Sequence, residues 1–168
     1  MSSSRADWQG EPGEASVILG ALRLRQGRLD EAADATEAAL LRFRTDPWPT
    51  LRFKRQALDM AGSLVDRDNR YAKRMFDAVH QPFAIRAVNE DRMLLQFRLA
   101  RFVDFKSLCR EPIAPLEPYV PWNQSFLSLR LECYEAAGDG LASRARHDLE
   151  SFLSQQAIPL ASGIVGME

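Results

Sequence analysis

Leu19-Gly-Ala-Leu-Arg-Leu-Arg-Gln-Gly27-Arg-Leu-Asp-Glu-Ala32-Ala-Asp-Ala-Thr-Glu-Ala-Ala39 is the stretch from which the fold can be read. Small and apolar residues recur at helical spacing on both sides of Gly27. Glycine alone enters the left-handed backbone region cheaply, so Gly27 ends one helix and the next begins near Asp30. The stretch predicts two helices folded back on each other, with alanines letting them approach closely. Related punctuation returns at Ala72, Phe76 and Val79, and again at Tyr134, Gly138, Ala145, Leu149 and Phe152. One hairpin cannot bury its apolar face alone, so repeated hairpins stack, and such stacks bind something along one side.

Outward from this hairpin, a first helix is expected from about Gly13 to Gln26. A second is expected from Asp30 to the break at Asp46-Pro47-Trp48-Pro49, because residues before proline avoid helix. A second hairpin fits 49–81. Leu51, Ala57, Leu58, Ala61, Leu64 and Val65 mark its first helix, Asn69 caps its second, and Ala72, Met75, Phe76 and Val79 stripe that second helix. A third hairpin opens with an amphipathic helix over 84–103, but its return meets Pro112, Pro115, Pro118 and Pro121. Prolines every third residue would align along one edge of a polyproline II helix. The segment is read as a rigid strap that packs Ile113, Leu116, Tyr119 and Val120, in preference to a docking ligand for an aromatic groove. A fourth hairpin joins Trp122–Ala137, started by Asn123 or Ser125, to Leu141–Gln155 through Gly138-Asp139-Gly140. Ala32 and Ala72 are 40 residues apart, and Ala72 and Ala145 are 73 apart, close to two units. The expectation is an all-α stack of antiparallel helical hairpins in a single domain over 13–156. Residues 1–12 are expected to be disordered and 157–168 a loose tail.

Of the 168 residues, 46% are hydrophobic, enough for a continuous core, and the net charge is −1. Residues 1–85 carry 13 basic and 12 acidic side chains and residues 86–168 carry 9 and 11, so neither half is a polyanion-binding arm. Arginines number 19 against 3 lysines, read as a bias of the coding sequence rather than as interface pairing. Cys109 and Cys133 form no Cys-x-x-Cys pair and read as reduced, buried thiols. No apolar run resembles a signal peptide or reaches the ~18 residues of a bilayer span. The expected setting is cytoplasmic, for this chain or for a larger protein that contains it.

These residues resemble the tetratricopeptide repeat family. Leu19-Gly20, Gly27, Ala32 and Ala39 match its pattern, and Thr36 departs from it where a bulky apolar residue is usual. Tyr134, Gly138, Ala145, Leu149 and Phe152 match again if Asp139-Gly140 is an insertion. About half the chain carries the resemblance. It implies a right-handed helical stack that binds peptides or docks proteins. The second half is also similar, through Pro82-Phe83-Ala84-Ile85-Arg86 and Leu116-Glu117-Pro118-Tyr119-Val120-Pro121-Trp122-Asn123, to helical tails of some bacterial spermidine synthase-like proteins. That likeness implies a C-terminal appendage of an aminopropyltransferase-like enzyme without its catalytic residues, since no Gly-x-Gly-x-x-Gly loop is present.

No catalytic set stands out. A Gly-x-Ser-x-Gly elbow and a P-loop are lacking. His80, Cys109, Cys133 and His147 have no metal-ligand spacing. Asp66-x-Asp68 opens like a calcium loop, but Arg70 and Tyr71 stand where a ligand and a glycine are needed. Arg42-Phe-Arg44, Trp48 and Arg52-Phe-Lys54-Arg55 form a basic segment with three aromatics; its structural reading, charges on a helix end and Trp48 as a hydrophobic cap, outweighs base stacking. The expected role is therefore non-catalytic, with no cofactor or metal, and with a protein or peptide partner, or a second copy, held on a partly apolar concave face. Val17, Ala21 and Leu24 are expected to line that face in the first unit. Ser125, Ser128, Glu132 and Glu135 form its polar, acidic counterpart in the last.

Overall fold

Helices supply every regular element of residues 12–155, the residues described by the computed structural model of this protein; no strand occurs among them. The expectations of a disordered N-terminal segment and a loose tail fall on residues 1–11 and 156–168, outside the described ones, although helix already begins at Pro12. The chain divides into two compact units between Glu117 and Pro118.

In the first unit, α1 (Pro12–Arg25) and α2 (Leu29–Arg42) form one hairpin, and α3 (Leu51–Arg67) and α4 (Ala72–His80) a second; α5 (Asn89–Ala100) follows. Gly27 adopts φ 73°, and the Arg28 N–H closes onto the Arg23 carbonyl at 3.0 Å, the bond that a left-handed glycine makes available at a helix end. The first helices α1, α3 and α5 pack side by side, the second helices α2 and α4 likewise, and α2 packs on α3 as α4 does on α5. The register is visible in the polar contacts. Thr50 N–H donates to Glu14 Oε1 at 3.3 Å and Arg55 Nε meets Asp91 Oδ2 at 3.3 Å, both 36 residues apart. From α2 to α4 and the 3-10 turn before it (Asn69–Tyr71) the step is 40: Arg70 Nη2 lies 3.0 Å from Asp30 Oδ1, and Arg74 Nη2 lies 2.8 Å from Asp34 Oδ1.

Small residues bring these helices together. A Cβ built at Gly20 would stand 3.2 Å from Thr36 Oγ1 and 3.3 Å from Met60 Cε. Thr36, the departure from the family pattern, is wholly buried and returns its hydroxyl to the Ala32 carbonyl at 2.7 Å. A bulkier side chain there would have to displace Gly20 or Met60. Ala39, Leu40, Phe43, Ala61, Leu64, Met75, Val79 and Leu99 complete a core with no exposed surface on any of them.

The nine-residue α4 is closed by two arginines. Helix ends leave four carbonyls without partners. Arg44 Nη2 donates to Asp77 O (2.6 Å) and Ala78 O (3.0 Å), and Arg92 Nη1 donates to Val79 O (2.5 Å) and His80 O (3.1 Å). The cap at the start of this hairpin's return is Asp68, not Asn69: its carboxylate accepts from Arg70 N–H at 3.0 Å.

The proline segment is not an extended strap. It folds as α6 (Phe105–Leu108), α7 (Arg110–Ile113) and a 3-10 stretch over Ala114–Tyr119. Pro112 and Pro115 each fall in the first turn of a short helical piece, where the missing N–H has no acceptor to lose. A 3-10 helix also has about three residues per turn, so the same spacing suits it. Helix α7 packs on α5 and buries Ile113, so part of a returning helix stands where the strap was expected.

In the second unit, α8 (Gln124–Ala137) and α9 (Ala142–Gln155) form a hairpin. Asn123 caps α8 by accepting from Phe126 N–H at 2.9 Å. Gly138 ends it at φ 64°, and Asp139 N–H bonds to Tyr134 O at 2.8 Å, the same closure as at Gly27. Ala145 is buried in the hairpin, and Trp122 meets Phe152 edge-on at 6.1 Å.

Cys109 and Cys133 are both buried and both disulfide-bonded, which corrects the expectation of reduced thiols. Sequence spacing alone does not report whether a thiol finds a partner.

Candidate partner groove between α3 and α5

Helix α3 turns Ala57, Leu58, Ala61, Leu64 and Val65 into the core. Its opposite face, bearing Arg55, Asp59, Ser63 and Asp66, lines a groove of about 610 Å³ whose other wall is α5, with Asp91, Leu94, Leu95 and Arg98. Each end carries an ion pair: Arg55 with Asp91 at 3.3 Å, and Arg98 with Asp66 at 3.7 Å. Arg98 reaches Asp66 by passing over Gly62, where the absence of a side chain leaves room for its guanidinium. All four charges are well exposed, so each pair is worth less than about 1 kcal/mol, and they shape the groove more than they hold the fold. Between the pairs, Leu58, Leu94 and Leu95 form an apolar floor. Asp59 stands beside them, exposed, with no hydrogen bond or ion pair among the described residues.

The 36-residue register extends this surface in sequence terms. Leu22, Leu58 and Leu94 occupy equivalent positions on α1, α3 and α5. On α1 the exposed apolar residues are Ile18, Leu19 and Leu22. Val17, expected to line the concave face, is fully buried and belongs to the core; Ala21 and Leu24 are half-buried. Val17 is thus a core residue, while Ile18, one position on and about 100° around the helix, is exposed. In the second unit Ser125, Ser128, Glu132 and Glu135, expected as the polar part of the concave face, are exposed on α8, and Glu135 pairs with Arg146 of α9 within the hairpin. The groove residues Arg55, Leu58, Asp59, Leu94, Leu95 and Arg98 were not anticipated. The leucines 36 residues apart, and the opposite charges of Arg55 and Asp91 at that same spacing, were the available signal.

The basic segment 42–55 does not assemble a stacking platform. Phe43 and Lys54 are fully buried, Arg44 is spent on α4, and Arg55 pairs with Asp91. Trp48 is 81% exposed and so is not a hydrophobic cap. Lys54 is unusual in its own right: its Nζ has no hydrogen-bond partner, and neither has the buried Oδ2 of Asp46. Burial pushes the Lys54 ammonium below its ordinary pKa, with the nearby Asp46 charge opposing.

Among the described residues no three His, Cys, Asp or Glu side chains converge as a metal site would require, and no helix is long and apolar enough to cross a membrane. No family model, curated relative or solved structure matches the chain.

Proposed function

We propose that this protein is a non-catalytic helical-repeat module, built like a tetratricopeptide stack, that holds a segment of a protein or peptide partner in the groove between α3 and α5. The observation that carries this reading is the groove itself. Two first helices in a tightly packed stack leave an open furrow floored by leucines and bounded by ion pairs. Furrows of this kind admit an extended chain or a helix, which supplies apolar side chains for the floor. Leu19 and Leu22 on α1 enlarge the apolar surface available to a partner. The cytoplasmic setting expected for the chain loses the support of reduced thiols, because disulfides persist chiefly in oxidising compartments.

The test is selection of binding peptides from a displayed library on the full chain, followed by Leu94→Glu. Selected peptides are expected to lose binding in this variant, since a carboxylate replaces a half-buried leucine of the floor. Failure to select any peptide, or retention of all binding by Leu94→Glu, would remove the reading. Light scattering of the unliganded chain separates self-association from capture of a different partner.

A further inference from the structure

We infer that the α3/α5 groove selects a segment bearing a long basic side chain, arginine above all, among apolar neighbours; this rests on the reading that the groove holds a peptide. Both guanidiniums in the groove already face carboxylates, Arg55 with Asp91 and Arg98 with Asp66. Among the described residues Asp59 is left as the groove's charge without an ion pair or hydrogen bond, one helical turn from Arg55 and lining the groove with Leu58, Leu94 and Leu95. Three carboxylates against two guanidiniums give the groove a local charge of −1.

The occupant must answer both features at once. An acidic side chain would meet Asp59 and find Arg55 and Arg98 already engaged. A purely apolar one would cover Asp59 without supplying a counter-charge, and desolvating a carboxylate in that way is unfavourable. A lysine or arginine lays its methylene stem on Leu58, Leu94 and Leu95 and brings its head to Asp59. Arginine suits the geometry better, because its planar fork donates two parallel hydrogen bonds to one carboxylate. Along α3 the groove runs from Arg55 to Asp66, about 16 Å at the helical rise, which spans about five residues of extended peptide.

The experiment titrates the ¹⁵N-labelled full chain with pools of N-acetylated, C-amidated pentapeptides, randomised except at the central residue. That residue is arginine, its neutral isostere citrulline, norleucine or glutamate. The arginine pool is expected to shift the amides of Leu58, Asp59, Leu94 and Leu95 at concentrations lower than the citrulline pool needs by about tenfold, the scale of one charge-assisted hydrogen bond. Asp59→Asn, a change at an exposed position, is expected to abolish that gap and to strengthen binding of the norleucine pool, whose apolar side chain then covers no carboxylate. Equal binding by all four pools in the groove, or a preference for glutamate, would overturn the basic selectivity while peptide docking survived. An arginine preference that persists in Asp59→Asn, or shifts confined to other residues, would also overturn it. No shift with any pool would overturn docking as well.

Discussion

Arg98 lies across α3 at Gly62, so close that a methyl group at that position would overlap its Nη2 atom. The overlap involves only the tip of a flexible side chain, so it is relieved by moving the guanidinium rather than the helices. Gly62 therefore acts locally, letting Arg98 cross to Asp66 and close one end of the groove.

Gly62→Ala is accordingly expected to stabilise the chain slightly. Alanine in a helix interior is favoured over glycine by about 1 kcal/mol, against a loss of less than about 1 kcal/mol for the exposed Arg98–Asp66 pair. Urea denaturation should show an unchanged or higher midpoint at constant slope. A fall of more than about 1 kcal/mol would mean that Arg98 is held far more firmly than the ion pair accounts for.

Lys54→Met is expected to raise stability at neutral pH by about 1–3 kcal/mol, because a fully buried ammonium without a hydrogen bond is replaced by an apolar chain of similar length. The sign with pH follows from the lowered pKa. Between that lowered value and the ordinary 10.5, the unfolded chain binds more protons at Lys54 than the native one, so native stability rises with pH there. Below that window the penalty is present in full. The advantage of Lys54→Met should thus shrink as pH climbs toward 10.5, and an advantage independent of pH would contradict the assignment.

Arg92→Leu should expose the weakness of α4. It strips the Val79 and His80 carbonyls of their donor in a site where the arginine is only 6% exposed. Loss of hydrogen bonds from a charged donor at a helix end predicts destabilisation of about 2–3 kcal/mol. Amide exchange should accelerate in the last turn of α4 before it does in α1, and uniform acceleration would show that the two arginines are not acting as a local cap.

In the second unit, Asp148→Ala is expected to destabilise by about 2–4 kcal/mol. It leaves Arg130, which has no exposed surface, without the carboxylate now 2.7 Å away. Thermal unfolding of the variant measures this, and a shift within error would mean that the remaining partners of Arg130 suffice.

Thiol titration in denaturant without reductant should detect none of the two cysteines, and should detect both after reduction. One or two reactive thiols before reduction would contradict the disulfide-bonded state.

Much of the fold was legible because it depends on local chemistry. Gly27 and Gly138, the helices they end, and the Asn123 cap are fixed by backbone strain and by hydrogen bonds spanning a few residues. The proline segment was misread for a related reason. Proline every third residue is compatible with two helices of similar pitch, and only packing of α7 on α5 favours the helical one. The arginine excess, read as coding bias, includes Arg44, Arg70, Arg74 and Arg92, which join α4 and its approach to the elements around them.

From residue order alone came the all-helical character, most helix boundaries and the recurrence of hairpins, since propensity, capping and apolar period act within one turn or two. The rotation of each helix about its own axis came only from tertiary packing. A turn of one residue exchanges core for surface, and it is close contact with neighbouring helices that buried Val17, exposed Leu22 and brought Asp59 into the same groove as Leu94 and Leu95 of α5.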